Sequence, residues 1–204
     1  MEEAGLIFPL SETESCILQV PEIVGKDVAV FGTGTAGYTA AMFAMLKGAK
    51  SVTVFGIDKT RAEFATTLGA DFGLLSEEAY KSDKKYDVVF EITGSFKVFS
   101  GGLPFLKEGG ILAIYGKSTR PYEIDLAKIP VNFSVRTVDP KVDMALDEVE
   151  AMMKAGKIPV KTILTHVWEF DDIEKALHQV KNQEVIKGLV KIVDDPLPCR
   201  ENKL

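Results

Sequence analysis

Cysteine is nearly absent: two occur in 204 residues, Cys16 and Cys199, near opposite ends and with no Cys or His at metal-ligand spacing. That arrangement offers neither a disulfide framework nor a zinc site, and both read as inert thiols. Histidine is equally scarce. His166 and His178 lack metal-spaced partners and read as structural or surface residues. No Ser/His/Asp or Cys/His arrangement suggests nucleophilic catalysis, so no residue is assigned a catalytic or metal role. No uninterrupted run of about 18 apolar residues occurs, which excludes a membrane-spanning helix. The start, Met1-Glu2-Glu3, is acidic where a signal or transit peptide would be basic. The reading is a cytoplasmic chain with no membrane partner. Positive charge is in deficit, with 24 Lys and Arg against 30 Asp and Glu and a net charge of −6, which argues against a nucleic-acid partner.

What is present is a hydrophobic fraction of 46% over a length sufficient for one large domain, or one domain with a small appendage. From residue 27 short β-rich runs alternate with helical stretches. Strands are predicted at 27–32, 51–55, 72–75, 86–91, 109–115 and 132–138. They are dense in Val, Ile and Phe with little polar alternation, as burial on both faces requires. Helices are predicted between them at 35–47, 60–68, 76–81, 96–107 and 125–130, several ended by Gly48, Gly69 or Gly109-Gly110. This rhythm predicts an α/β fold, a Rossmann-type doubly wound parallel sheet of about six strands. After Asp139-Pro140 the pattern becomes a helix at 141–155, a strand at 162–169, a helix at 171–181 capped at Asp171-Asp172, and a strand at 188–193, a short C-terminal appendage. Before residue 25 there is a helix at 11–20 with no strand partner, as if the chain began within a larger architecture. Residues 194–198 have the composition of a frayed end.

The strand Val28-Ala29-Val30-Phe31 runs into Gly32-Thr33-Gly34-Thr35-Ala36-Gly37 and then into a helix. A GxGxxG that ends a strand and opens a helix predicts a pyrophosphate site. Gly32 permits the tight turn, Gly34 lets the phosphates approach the backbone, and Gly37 lets helix and strand pack closely. The helix N-terminus supplies free N–H groups and a positive dipole. An acid about 20 residues further on would clamp the adenosine ribose hydroxyls. That position is Gly56. Gly there removes both the clamp and the charge that would repel a 2′-phosphate, while Lys59 and Arg61 lie near enough in sequence to pair with one. NADP(H) is therefore favoured over NAD(H), with Asp58 as a counter-indication. Two loops at strand C-termini, around Thr93-Gly94 and Gly116, should face the cofactor, with Thr93 able to hydrogen-bond a ribose; both could equally be ordinary turns. Lys59 and Arg61 could likewise be a solvated first helical turn.

From residue 4 to about 193 the chain resembles the C-terminal portion of medium-chain dehydrogenase/reductases, the zinc-type alcohol and polyol dehydrogenases. The resemblance rests on the glycine loop, Leu68-Gly69-Ala70-Asp71, Tyr86-Asp87-Val88-Val89-Phe90-Glu91-Ile92-Thr93-Gly94, Leu106-Lys107-Glu108-Gly109-Gly110, and the segment from Ile163 to Ile173. It implies residues 1–24 as the lead-in from a catalytic domain, 25–140 as the dinucleotide-binding domain, and 141–204 as a closing helix and return segment. It also implies hydride transfer between NADP(H) and an alcohol or carbonyl, a homodimer paired through the strand at 132–138, and zinc only through a domain this sequence lacks. Lys187 matches a position near the phosphates in such proteins. Two departures bear on chemistry: Phe8 stands where polyol-dehydrogenase-like members place a zinc-associated Glu, and Gly56 stands where NAD-using members have Asp. Against this enzyme reading stands a non-catalytic Rossmann module that senses nucleotide or only dimerises. A methyltransferase is disfavoured because the third glycine and the opening helix fit a pyrophosphate better.

Overall fold

The computed structural model describes residues 2–74, 83–125, 127 and 132–192. Six parallel strands form one sheet in the order β3-β2-β1-β4-β5-β6, from β1 (Asp27–Phe31), β2 (Ser51–Gly56), β3 (Asp71–Leu74), β4 (Tyr86–Glu91), β5 (Leu106–Ile114) and β6 (Ser134–Thr137). This is the strand order of dinucleotide-binding sheets, and the direction in which successive strands are added reverses between β1 and β4, which are themselves parallel. Alternation along β1 explains the burial on both faces. Val28 and Val30 point into one apolar layer, shared with Leu10, Phe43 and Val54. Ala29 and Phe31 point into the other, shared with Phe55, Phe99 and Phe105. In the second layer Phe31, Phe55 and Phe105 meet edge to face with ring centroids 5.2 to 5.3 Å apart, a geometry that aligns ring edges with ring faces.

Helix α1 (Ile7–Leu18) packs on α2 (Thr35–Leu46). Because α2 lies between α1 and the sheet, every residue from Gly37 to Ala44 is buried, which explains a helix apolar on all sides. The ammonium of Lys47, just past α2, lies 2.8 Å from the fully buried carboxylate of Glu14 and 2.6 Å from Glu148. Cys16 is buried in the same layer, and its removal from water pushes the thiol up to about 12. Helix α3 (Lys59–Glu63) continues as a 3-10 segment, Phe64–Leu68, and stops at Gly69 with φ +83°.

Helix α4 covers only Phe96–Gly102, shorter than the predicted 96–107. Pro104 follows within a 3-10 turn, Leu103–Phe105, and a ring without an N–H cannot continue the helix. β5 therefore begins at Leu106, before the Gly109-Gly110 pair expected to end the helix, and its register with β4 shifts between Tyr86 and Val88. Below that shift the Lys107 ammonium sits 2.8 Å from both Asp27 and Asp87, stapling β1, β4 and β5 at their start.

The last part holds α5 (Leu146–Lys154), a short α6 (Val160–Ile163) and the parallel pair β7 (Leu164–Glu169) and β8 (Lys187–Lys191), joined through α7 (Ile173–Lys181). The two strands close on Trp168, whose indole N–H donates to Gln179 at 3.0 Å. Asp172 occupies the cap position of α7 without a side-chain cap bond, so the predicted capping role is not realised. The helix predicted at 76–81 and the frayed end at 194–198 lie outside the described residues, as does most of the helix at 125–130. No helix among the described residues is long and apolar enough to cross a membrane.

Candidate functional site

A cleft of about 720 Å³ opens at the C-terminal ends of β1, β2 and β4, where the strand order reverses. All six residues of the glycine loop line it: Gly32, Thr33, Gly34, Thr35, Ala36 and Gly37. Gly32 has φ +133°, a backbone state that L side chains rarely adopt. A Cβ on Gly37 would lie 2.0 Å from the Gly32 carbonyl oxygen, so the first turn of α2 rests directly on the loop. Gly34 differs, since a Cβ there would meet nothing within 4 Å and would project into open space. Gly34 is also the cap of α2 and has no side chain to cap with. The amides of the first helical turn have no intrahelical acceptor and gather at the cleft. Such a terminus is suited to an anion.

Gly56 and Arg61 also line the cleft, but Lys59 does not. Lys59 is exposed and pairs with Glu63 at 3.6 Å, one helical turn along. Arg61 is held in place by the protein itself. Its Nε and Nη2 donate to the Thr33 carbonyl at 3.0 and 2.6 Å, and its Nη1 donates to the Gln183 carbonyl. The Arg61 amide is capped by Asp58 at 2.8 Å, and the Arg61 carbonyl accepts from the phenol of the fully buried Tyr38. Asp58, the sequence counter-indication, thus acts as the cap of α3. On the far side the Thr35 hydroxyl donates to the Ile186 carbonyl, so residues 183–186, just before β8, dock against the glycine loop.

Thr93 lines the cleft, whereas Gly94 and Gly116 lie behind it. A Cβ on Gly116 would fall 2.1 Å from the Gly94 amide nitrogen, so these glycines let the loops after β4 and β5 touch. The Thr93 hydroxyl donates to the fully buried carboxylate of Glu91, which also accepts the Thr93 amide at 2.7 Å and the Gly94 amide at 3.2 Å. Burial raises the Glu91 pKa, and these three donors only partly oppose it. The predicted ribose-binding hydroxyl also accepts the Ser95 amide at 3.0 Å, so its donor is engaged and one of its two acceptor lone pairs remains.

Sequence reasoning missed Gln183 and Lys97, and placed Glu91 in a cofactor-facing loop without its role as the buried acceptor for Thr93 and Gly94. Gln183 reaches the cleft from 122 residues beyond its partner Arg61. Lys97, on the first turn of α4, gives the rim a second cation, and a lysine at the start of the helix that follows Gly94-Ser95 is the kind of signal that could have found it. Lys187 opens β8 and does not line the cleft. His166 stacks on Trp168 with centroids 5.2 Å apart, away from the loop. Among the described residues no group of three or more His, Cys, Asp or Glu could hold a metal, and Phe8 is exposed on α1, so the side chains described do not fit a zinc ion.

Residues 36–139 match the family model described as zinc-binding dehydrogenase. Among sequence relatives, D-xylulose reductase A of Aspergillus oryzae is 27% identical over 95% of this chain and 58% of its own length. Among solved structures, 2R,3R-butanediol dehydrogenase from Bacillus subtilis superposes with a TM-score of 0.83 at 23% identity, over 93% of this chain and 57% of that one. A short chain alcohol dehydrogenase from E. coli CFT073, solved with NADH, superposes with a TM-score of 0.81 at 16% identity, over 93% of this chain and 59% of that one. This chain spans about 58% of the length of the curated relatives it matches.

Proposed function

We propose, since this chain belongs to the zinc-binding dehydrogenase family, that its cleft takes NADP(H) in preference to NAD(H) and orients it for hydride exchange with an alcohol or carbonyl. The pyrophosphate would lie over Gly34 against the first turn of α2, where open space and free amides coincide. This coincidence at the strand switch point carries the reading. The adenosine ribose would lie beside Gly56, with no carboxylate there to bind its hydroxyls or repel a 2′-phosphate.

Of Lys59 and Arg61, Arg61 is the cation that lines the cleft at that end, and its guanidinium has five N–H donors of which three are engaged within the protein. The remaining donors could meet a phosphate while the rest keep the group aligned. Lys59 is dropped from this role because it turns toward Glu63. The nicotinamide would extend past Thr93, whose hydroxyl oxygen can accept a hydrogen bond from a ribose or carboxamide.

Bound, the nicotinamide supplies a hydride acceptor for an alcohol carbon or a hydride donor to a carbonyl. This chain contributes cofactor binding and orientation, and in the full protein the alcohol substrate and any metal would be held by residues outside it. Alone, it should bind dinucleotide and turn nothing over. The proposed assembly is a cytoplasmic homodimer paired through β6, which among the described residues has a sheet neighbour on one side only. Titration of NADPH and NADH into the chain tests the reading: NADPH should bind more tightly. Tighter NADH binding would overturn the preference, and no binding of either would overturn the cofactor assignment.

A further inference from the structure

Position 56 lacks an acid, yet the space beside it is not vacant. A Cβ on Gly56 would lie 2.4 Å from Cγ2 of Thr33 and 3.0 Å from its Oγ1. Any side chain there must contend with a threonine from the glycine loop. Thr33 is poorly placed to yield. Its carbonyl is gripped by two donors of Arg61, and Arg61 is itself fixed by Gln183, Asp58 and the buried Tyr38. A β-branched side chain on a fixed backbone has few χ1 states to retreat into.

We propose that Thr33 and Gly56 form one specificity-determining pair: Thr33 fills the volume that the first carbon of any residue-56 side chain would occupy, and so closes the adenosine end of the cleft to an acid. This rests on the dinucleotide reading above and sharpens it. Coenzyme preference becomes a property of two positions, one in the loop and one at the end of β2. Placing an acid at 56 alone should then fail to build an NADH site, because the carboxylate can be seated only by displacing Thr33.

The test is a double-mutant cycle on this chain with parent, T33A, G56D and T33A/G56D, read by thermal melting and by titration with NADH and NADPH. G56D alone should lower Tm by about 3–6 °C, as overpacking does in a domain of this size. T33A should recover most of that loss. G56D alone should weaken both coenzymes, whereas T33A/G56D should bind NADH about tenfold more tightly than G56D does, with NADPH weakened by the added charge. Equal Tm and equal NADH affinity for G56D and T33A/G56D would overturn the pair. Uncoupled melts would overturn it even if the parent binds NADPH. A parent that binds neither coenzyme would instead remove the dinucleotide reading, and the specificity role with it, while the melting cycle still reports whether the two side chains contest one volume.

Discussion

Replacing Gly37 by Ala separates the structural from the ligand-facing glycines of the loop. The new methyl would sit 2.0 Å from the Gly32 carbonyl oxygen and 2.8 Å from its carbon, both backbone atoms. This is roughly 1 Å or more inside ordinary contact. No rotamer relieves it, so α2 must move off the loop, at a cost of about 3 kcal/mol. For a chain of this size that corresponds to a Tm loss of roughly 6–12 °C. Gly34→Ala places its methyl where nothing lies within 4 Å. Its cost should stay below about 1 kcal/mol, the difference between Gly and Ala at a helix cap. Its effect should appear in binding, where a methyl over the pyrophosphate seat should weaken NADPH about tenfold or more. Melting curves and NADPH titrations of the two variants, run in parallel, provide the comparison. The reasoning is refuted if Gly37→Ala melts with the parent, or if Gly34→Ala binds NADPH as the parent does.

Lys107→Met should cost about 1 kcal/mol, a small figure because all three side chains of the staple are partly exposed. The hydrogen bond from Lys107 depresses the Asp27 pKa; at Asp87 burial works upward, but Lys107 and the Asp27 amide outweigh it. Depressed carboxylates stabilise the fold above their ordinary range and lose that contribution as pH falls through the lowered values, so melts from neutral to acid pH should show a shallower decline in Lys107→Met. Glu91→Ala should lower stability by about 2 kcal/mol, since the donors of Thr93 and Gly94 lose their acceptor. Burial raises the Glu91 pKa, so its contribution is greatest below the ordinary Glu range and is lost as pH rises through the raised value. Glu91→Gln, which keeps an acceptor for Thr93, should abolish that slope in melts across the same range.

The sheet and the glycine loop were legible because both are written locally. Val28-Ala29-Val30-Phe31 signals burial on two faces, and the spacing of Gly32, Gly34 and Gly37 fixes how a helix leaves a strand. The helix predicted to 107 is too long because it is read up to the Gly109-Gly110 pair, whereas Pro104 ends the helix and the glycines lie at a register shift of β5 against β4. Arg61 was noticed for its charge, but its bonds to Thr33 and Gln183 were not legible, since they depend on residues 28 and 122 positions away. Gly94 and Gly116 carried a loop signal, and the packing of the two loops against each other that requires glycine at both was not legible. A side chain's commitments across the fold, unlike its chemistry, are absent from the sequence around it.

The central claim is that a nicotinamide dinucleotide lays its pyrophosphate on the loop between β1 and α2. Amide chemical shifts of the isotopically labelled chain, followed during titration with NADPH, test it most directly. Gly34, Thr35, Ala36 and Gly37 should shift most, and saturably, with smaller changes at Gly56 and Thr93. Saturable shifts confined to another surface, or none at all, would contradict the account.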